Sequence, residues 1–165
     1  SVANDNILFV PDQNLGQFIS TQTKKNIILY PGFCYVHHHI SPEQVKQAKR
    51  LHPEAQVLVH PECQPEVITL ADAALSTSQM LRHARASSHN SFIIGTEEGL
   101  LHSLRKANPD KLFYPVTSDQ VCVDMKKTTI QTLAQTMELK QNIVTIPEEI
   151  RIKAKQAVDR MLAVV

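Results

Sequence analysis

The run Val57-Leu58-Val59 ends directly in His60-Pro61-Glu62-Cys63, three side chains able to do acid–base or metal chemistry. Ligands bind beyond the C-terminal ends of strands in parallel α/β sheets. On that rule His60 and Glu62 are candidates to bind or protonate a substrate, and Cys63 is a candidate metal ligand. The competing reading makes Cys63 a small buried hydrophobe and Glu62 a charge at a helix N-terminus.

A second candidate is Pro31-Gly32-Phe33-Cys34-Tyr35-Val36-His37-His38-His39. Gly32 permits an unusual backbone angle beside Cys34. A Cys34 thiolate here is able to hold iron or zinc, with His37 three residues on. His38 and His39 read as solvated. Ser76-Thr77-Ser78 follows a weak strand and opens a helix, where hydroxyls and free N–H groups suit a carboxylate or phosphate as well as they suit ordinary capping. Gly95-Thr96-Glu97 carries the same ambiguity. Cys122 lies in Val121-Cys122-Val123-Asp124-Met125-Lys126-Lys127 and reads as a helix residue. The spacing of the three cysteines matches no zinc-ribbon or ferredoxin pattern. Nor does it make evident an open three-ligand zinc set at Cys34 and His37–His39.

The elements that must position these groups repeat one design, a short apolar run with a polar or Gly/Pro-rich end. Asn6–Val10, Asn26–Tyr30, Val57–Val59, Ser91–Ile94 and Leu112–Tyr114 all read this way. Helix-like segments alternate with them, which indicates an α/β fold with a mainly parallel sheet. Ser41, Pro42 and Gln44 form a capping-box start for a helix ending near His52, where Pro53 stops it. Further helices are expected from Pro65 to Ala71, after Ser76-Thr77-Ser78, from Thr96 to Asn108, from about Asp119 to Met137, and from Pro147 onward. Ala86 to Asn90 is either a domain break or a helix-to-strand loop.

With 165 residues, 42% hydrophobic, the chain can bury a core. A net charge of +1 gives no electrostatic reason to bind nucleic acid. No apolar run approaches the ~20 residues of a membrane helix. Three cysteines without a secretory signal disfavour a disulfide framework. Ser1, without an initiator Met, suggests that N-terminal sequence is missing.

Several motifs match one family in order: Pro11-Asp12 with Asn14-Leu15-Gly16, Pro31-Gly32 through Cys34 with Val36-His37, and Leu51-His52-Pro53. They continue with Val59-His60-Pro61-Glu62-Cys63, Ser76-Thr77-Ser78-Gln79-Met80, Gly95-Thr96-Glu97 with Gly99 and His102, and Cys122 with Met125-Lys126-Lys127. As a set they resemble the quinolinate synthase family, iron–sulfur transferases of NAD biosynthesis. The resemblance implies a three-layer α/β/α fold with short parallel sheets, part of a pseudo-threefold, three-domain architecture. Residues 1–58 would be the remainder of the second domain, 59–120 the third, and 121–165 C-terminal helices that pack back on a first domain absent from this sequence. It implies condensation of iminoaspartate with dihydroxyacetone phosphate to quinolinate, with a [4Fe–4S] cluster as Lewis acid. By motif, Cys34 and Cys122 would be cluster ligands, with Cys63 a nearby non-ligand. His60, Glu62 and His37 would be catalytic, and Ser76 and Thr77 would hold substrate carboxylate or phosphate. The resemblance further implies a cytoplasmic protein, with L-aspartate oxidase a candidate partner and with no nucleic-acid or membrane partner. Val123 and Asp124 depart from the Pro and Asn of many members. The family's third Cys has no match here, so this stretch alone is expected to be inactive. The alternative is a cluster-free small-molecule-binding module or an inactive relative.

Overall fold

The computed structural model describes residues 3–163. They fall into two compact units, residues 6–122 and residues 123–163 with 3–5. Residues 6–122 carry two parallel sheets. In the smaller, β1 (Asn6–Phe9) pairs with β2 (Asn26–Leu29). The larger has the order β4 (Ala73–Ala74), β3 (Gln56–Val59), β5 (Ser91–Gly95), β6 (Leu112–Pro115). The α/β/α expectation holds, because β3 and β5 split their side chains between two apolar clusters with the period of two that a pleated strand imposes. Val57, Val59 and Ile93 enter one cluster, with Val45, Ala48, Val67 and Cys63. Leu58, Phe92 and Ile94 enter the other, with Met80, Ala84, Leu101 and Leu104. The first face is covered by α3 (Pro42–Leu51) and α4 (Pro65–Leu70), the second by α5 (Thr77–Ala86) and α6 (Gly99–Ala107).

The capping residues start α3 where the sequence says. Ser41 Oγ accepts from Gln44 N at 3.3 Å while Gln44 Oε1 accepts from Ser41 N at 2.8 Å. Each bond satisfies a donor that the first helical turn leaves unpaired. Residues 87–90 are a helix-to-strand connection between α5 and β5. Two helices not anticipated from the sequence precede the larger sheet: α1 (Gln13–Ser20) and the single turn α2 (Tyr35–His38).

Two expectations fail. Gly32 does not have a positive φ; no glycine does. Its requirement is space, since a Cβ there would lie 2.5 Å from the backbone oxygen of Pro11. The helix expected from Asp119 to Met137 is also absent as such. A 3-10 turn at Met125–Lys127 precedes α7 (Ile130–Leu139), and Cys122 sits in the loop before both. Thr129 explains the late start. Its hydroxyl accepts from Thr132 N at 3.1 Å and its own N–H donates to Thr132 Oγ1 at 2.9 Å, so it begins a helix instead of continuing one. β-branched Val121 and Val123 add no helical preference upstream. In the second unit α8 (Glu148–Leu162) follows α7, and neither helix has a buried residue.

Candidate functional site

Strand register builds the site. Val59 of β3 pairs with Ala74 of β4 and Gly95 of β5. The pairing runs one step further: Leu75 N donates to Val59 O, and His60 N to Gly95 O, each at 2.9 Å. The next row on this rim is therefore Leu75, His60 and Thr96, with Ser76 following at the start of α5. Gly95 is small because a Cβ there would meet Val59 Cγ1 at 2.8 Å.

Asp12 and Asn14 fasten the smaller sheet's loops. Asp12, 3% exposed, caps α1 by accepting from Leu15 N and, through its other oxygen, accepts from Cys34 N, both at 2.8 Å. Asn14 Nδ2 donates to Glu62 O at 3.0 Å and lies 3.0 Å from His38 Nδ1. Gln64 Nε2 donates to His38 O at 2.7 Å. His38 is thus a structural residue stacked on Phe33 at 4.2 Å, not a solvated one; His39 is exposed as expected.

Within this frame His37 Nδ1 lies 2.8 Å from Glu62 Oε2, and His37 Nε2 lies 2.9 Å from Thr96 Oγ1. The Glu62 carboxyl is held below the usual carboxylate range by the His37 hydrogen bond, with the nearby imidazoles adding to it and partial burial opposing it. An ionised carboxylate only accepts, so Nδ1 carries the proton and the Thr96 hydroxyl is free to donate to Nε2. His60 stacks on His37 with centroids 4.2 Å apart and planes 11° from parallel. Its Nδ1 accepts from Glu62 N at 3.3 Å. Burial, then the positive charge His37 can carry, lower His60 to about 4 against the pull of Glu62 and Asp12. His60 is neutral at pH 7 and able to accept a proton. One ligand atom each from Cys34, His37 and Glu62 lie within 4.8 Å of one another.

The thiols are not equivalent. Cys34 is half-buried beside this group. Cys63 is 0% exposed, and burial pushes its thiol up to about 12. Cys122 is half-buried, and its N–H donates to Glu97 Oε1 at 3.4 Å. Glu97 Oε2 accepts from Gly99 N, and Glu98 N donates to Gln120 O, each at 2.8 Å, so the Cys122 loop is tied to the loop leaving β5. Ser76 and Thr77 stand at the start of α5 on the same rim, where Ser76 N donates to Gln79 Oε1 at 2.8 Å. They form no hydrogen bond to His37, His60 or Glu62.

A sequence model described as "Quinolinate synthetase A protein" matches residues 1–163 of the chain. The chain belongs to the quinolinate synthase family. It is 49% identical over 164 residues to quinolinate synthase 2 of Methanosarcina acetivorans, covering 99% of this chain and 53% of the relative. It is 50% identical over 165 residues to a quinolinate synthase of Dehalococcoides mccartyi, covering 100% and 55%. A quinolinate synthase of Thermodesulfovibrio yellowstonii is 49% identical over 166 residues, again covering 100% and 55%. The chain spans about half the length of the curated relatives it matches.

For this member of the quinolinate synthase family, sequence reasoning missed the supporting roles of Asp12, Asn14, Thr96 and Glu97. Asp12 had a visible signal, a capping residue at the end of an apolar run. Thr96 had the same strand-end signal as His60 and was read only as a cap or anion contact. No helix among the described residues is long and apolar enough to cross a membrane.

The buried neutral imidazole gives a pH prediction. Unfolded, His60 takes up a proton near 6.5; folded, it resists until about 4. The unfolded state binds more protons in that window, so stability is full above 6.5 and falls as pH drops from 6.5 toward 4. Glu62 adds to the loss below 4.5, because its folded value is depressed. With allowance for solvent screening, urea unfolding at about pH 7 and about pH 5 should differ by about 1–2 kcal/mol from this source. A His60→Asn variant should show a smaller difference. An equal difference in the variant would assign the effect elsewhere.

Proposed function

We propose that this chain carries part of the site of a quinolinate synthase that condenses iminoaspartate with dihydroxyacetone phosphate, with loss of phosphate and water, in NAD biosynthesis. The observation that carries the reading is the group formed where His37 of α2 meets His60 and Glu62 beyond the end of β3, beside half-buried Cys34. Such a condensation needs protons moved to and from carbon, nitrogen and departing oxygen. Glu62, kept ionised by His37, and His60, kept neutral by burial, are both able to accept a proton at pH 7. His37 orients Glu62 and is itself held by Thr96. Ser76 and Thr77, with the N–H groups of the first turn of α5, suit a substrate phosphate or carboxylate.

The thiols fit a [4Fe–4S] cluster held in part by Cys34 and Cys122. Both are half-buried, and each backbone N–H is bound to a carboxylate that fixes its loop. Cys63 does not fit, being enclosed among apolar side chains. When bound, the cluster supplies an iron with an open coordination position, a Lewis acid for a substrate oxygen. In this reading the smaller sheet belongs to the remainder of the second α/β domain, expected to end at residue 58 but here ending ahead of β3. The larger sheet through residue 120 is the third, and 121–165 are helices that pack on the family's first domain, all in a pseudo-threefold assembly. The exposed apolar residues of α7 and α8, such as Leu133 and Ile150, support the last point. The reaction belongs in the cytoplasm, with L-aspartate oxidase a fitting source of the unstable imine.

The test uses the product of the whole reading frame that carries this chain. Purified anaerobically and reconstituted with iron and sulfide, it should form quinolinate from the two substrates. A protein that holds the cluster and forms none would overturn the reading.

A further inference from the structure

We propose that, in the cluster-free protein, Cys34, His37 and Glu62 bind one divalent transition metal of the zinc class. One ligand atom from each lies within 4.8 Å of the others. Thiolate, imidazole and carboxylate together favour zinc-class ions over magnesium or calcium, which select oxygen ligands. Three protein ligands leave a fourth position open to water, the arrangement of a reactive zinc site.

Hydrogen bonding prepares the trio. His37 Nδ1 and Glu62 Oε2, 2.8 Å apart, share a proton. Two such atoms bound at about 2.0–2.1 Å to a tetrahedral ion stand about 3.3 Å apart, so a metal can replace that proton with a movement of about 0.5 Å. The imidazole proton then moves from Nδ1 to Nε2 and is donated to Thr96 Oγ1, already 2.9 Å away, the hydroxyl turning from donor to acceptor. With metal bound, this outer bond holds the tautomer that keeps Nδ1 on the ion, as hydrogen-bonded histidine ligands commonly do. Cys34 is set by its backbone bond to Asp12, 2.8 Å long. Ligation releases the thiol proton of Cys34, while the single imidazole proton of His37 shifts from Nδ1 to Nε2, without redox change. The site does not use Cys122, so the inference stands or falls apart from the cluster reading.

Cobalt(II) is the probe, because its bond to sulfur gives a charge-transfer band in the near ultraviolet. The full-length protein, stripped of iron under reducing conditions, should bind Co²⁺ with this band, and Zn²⁺ but not Mg²⁺ should displace it. Cys34→Ser should abolish the band, while Cys63→Ala and Cys122→Ala should keep it. Thr96→Val should weaken Co²⁺ binding by about 10–100-fold through loss of the outer bond. Zn²⁺ should also protect Cys34 of the unmutated protein from alkylation, read by mass spectrometry, an arm that depends on no variant folding. A band that survives Cys34→Ser or disappears with Cys122→Ala would overturn the proposal. So would unprotected Cys34 at saturating Zn²⁺.

Discussion

Cys34→Ala in the full-length protein is expected to lose cluster iron and quinolinate formation together, while Cys63→Ala keeps both. The two cysteines follow apolar runs in the same way, yet their surroundings differ. Cys34 is half-buried on the rim, its N–H bound to Asp12. Cys63 is enclosed with Val57, Val59 and Val67, its Sγ 3.9 Å from Gly95 O. A thiol that resists ionisation until about 12 is a poor metal ligand, because the thiolate is the binding form. Loss of the Cys63 sulfur should instead leave a small void and cost about 1 kcal/mol of stability. Cys122→Ala should behave as Cys34→Ala does. Iron and acid-labile sulfide, measured beside turnover, decide the matter. An iron-free Cys63→Ala protein next to an iron-loaded Cys34→Ala protein would reverse the assignment.

Glu62→Gln should leave the cluster intact and slow turnover by about 10²–10⁴, the usual loss when a group that moves a proton is removed. The amide keeps the shape of the carboxylate and can still accept from His37 Nδ1 through its oxygen. What it loses is basicity and the negative charge facing two imidazoles. Because His60 is raised by Glu62, the variant should also hold His60 neutral to lower pH. A variant with normal turnover would exclude Glu62 from proton transfer. One that also lost iron would show that Glu62 holds the cluster loop and not the substrate.

Local signals in the sequence located the scaffold. The apolar runs around Val57–Val59 and Ser91–Ile94 gave central strands, and Ser41, Pro42 and Gln44 gave the start of α3, because strand burial and capping are set by residues a few positions apart. His60 and Glu62 were legible for the same reason, lying at a strand end. Long-range pairing was not legible. Thr96 meets His37 across 59 positions, and nothing near either residue announces the other. Cys34 and Cys63 looked alike because burial belongs to the assembled layers, not to the flanking residues. His38 read as solvated because its partners Asn14 and Gln64 each lie more than twenty positions away. Around Cys122 the failure was local, since a Thr pair that begins a helix was read as part of one.

The shared row of Leu75, His60 and Thr96 has a consequence for how such a gene can drift. Successive residues of a strand face opposite layers, so one codon gained or lost within β3 would carry His60 and Glu62 off the rim and turn Val57 and Val59 toward the wrong helices. A deletion there would remove the chemistry and loosen the interior at once. The same change in the 87–90 connection would lengthen or shorten only an exposed link between α5 and β5. Tolerance to insertions is therefore expected to be sharply uneven along this chain, low in the few residues before each strand end and high in the helix-to-strand links.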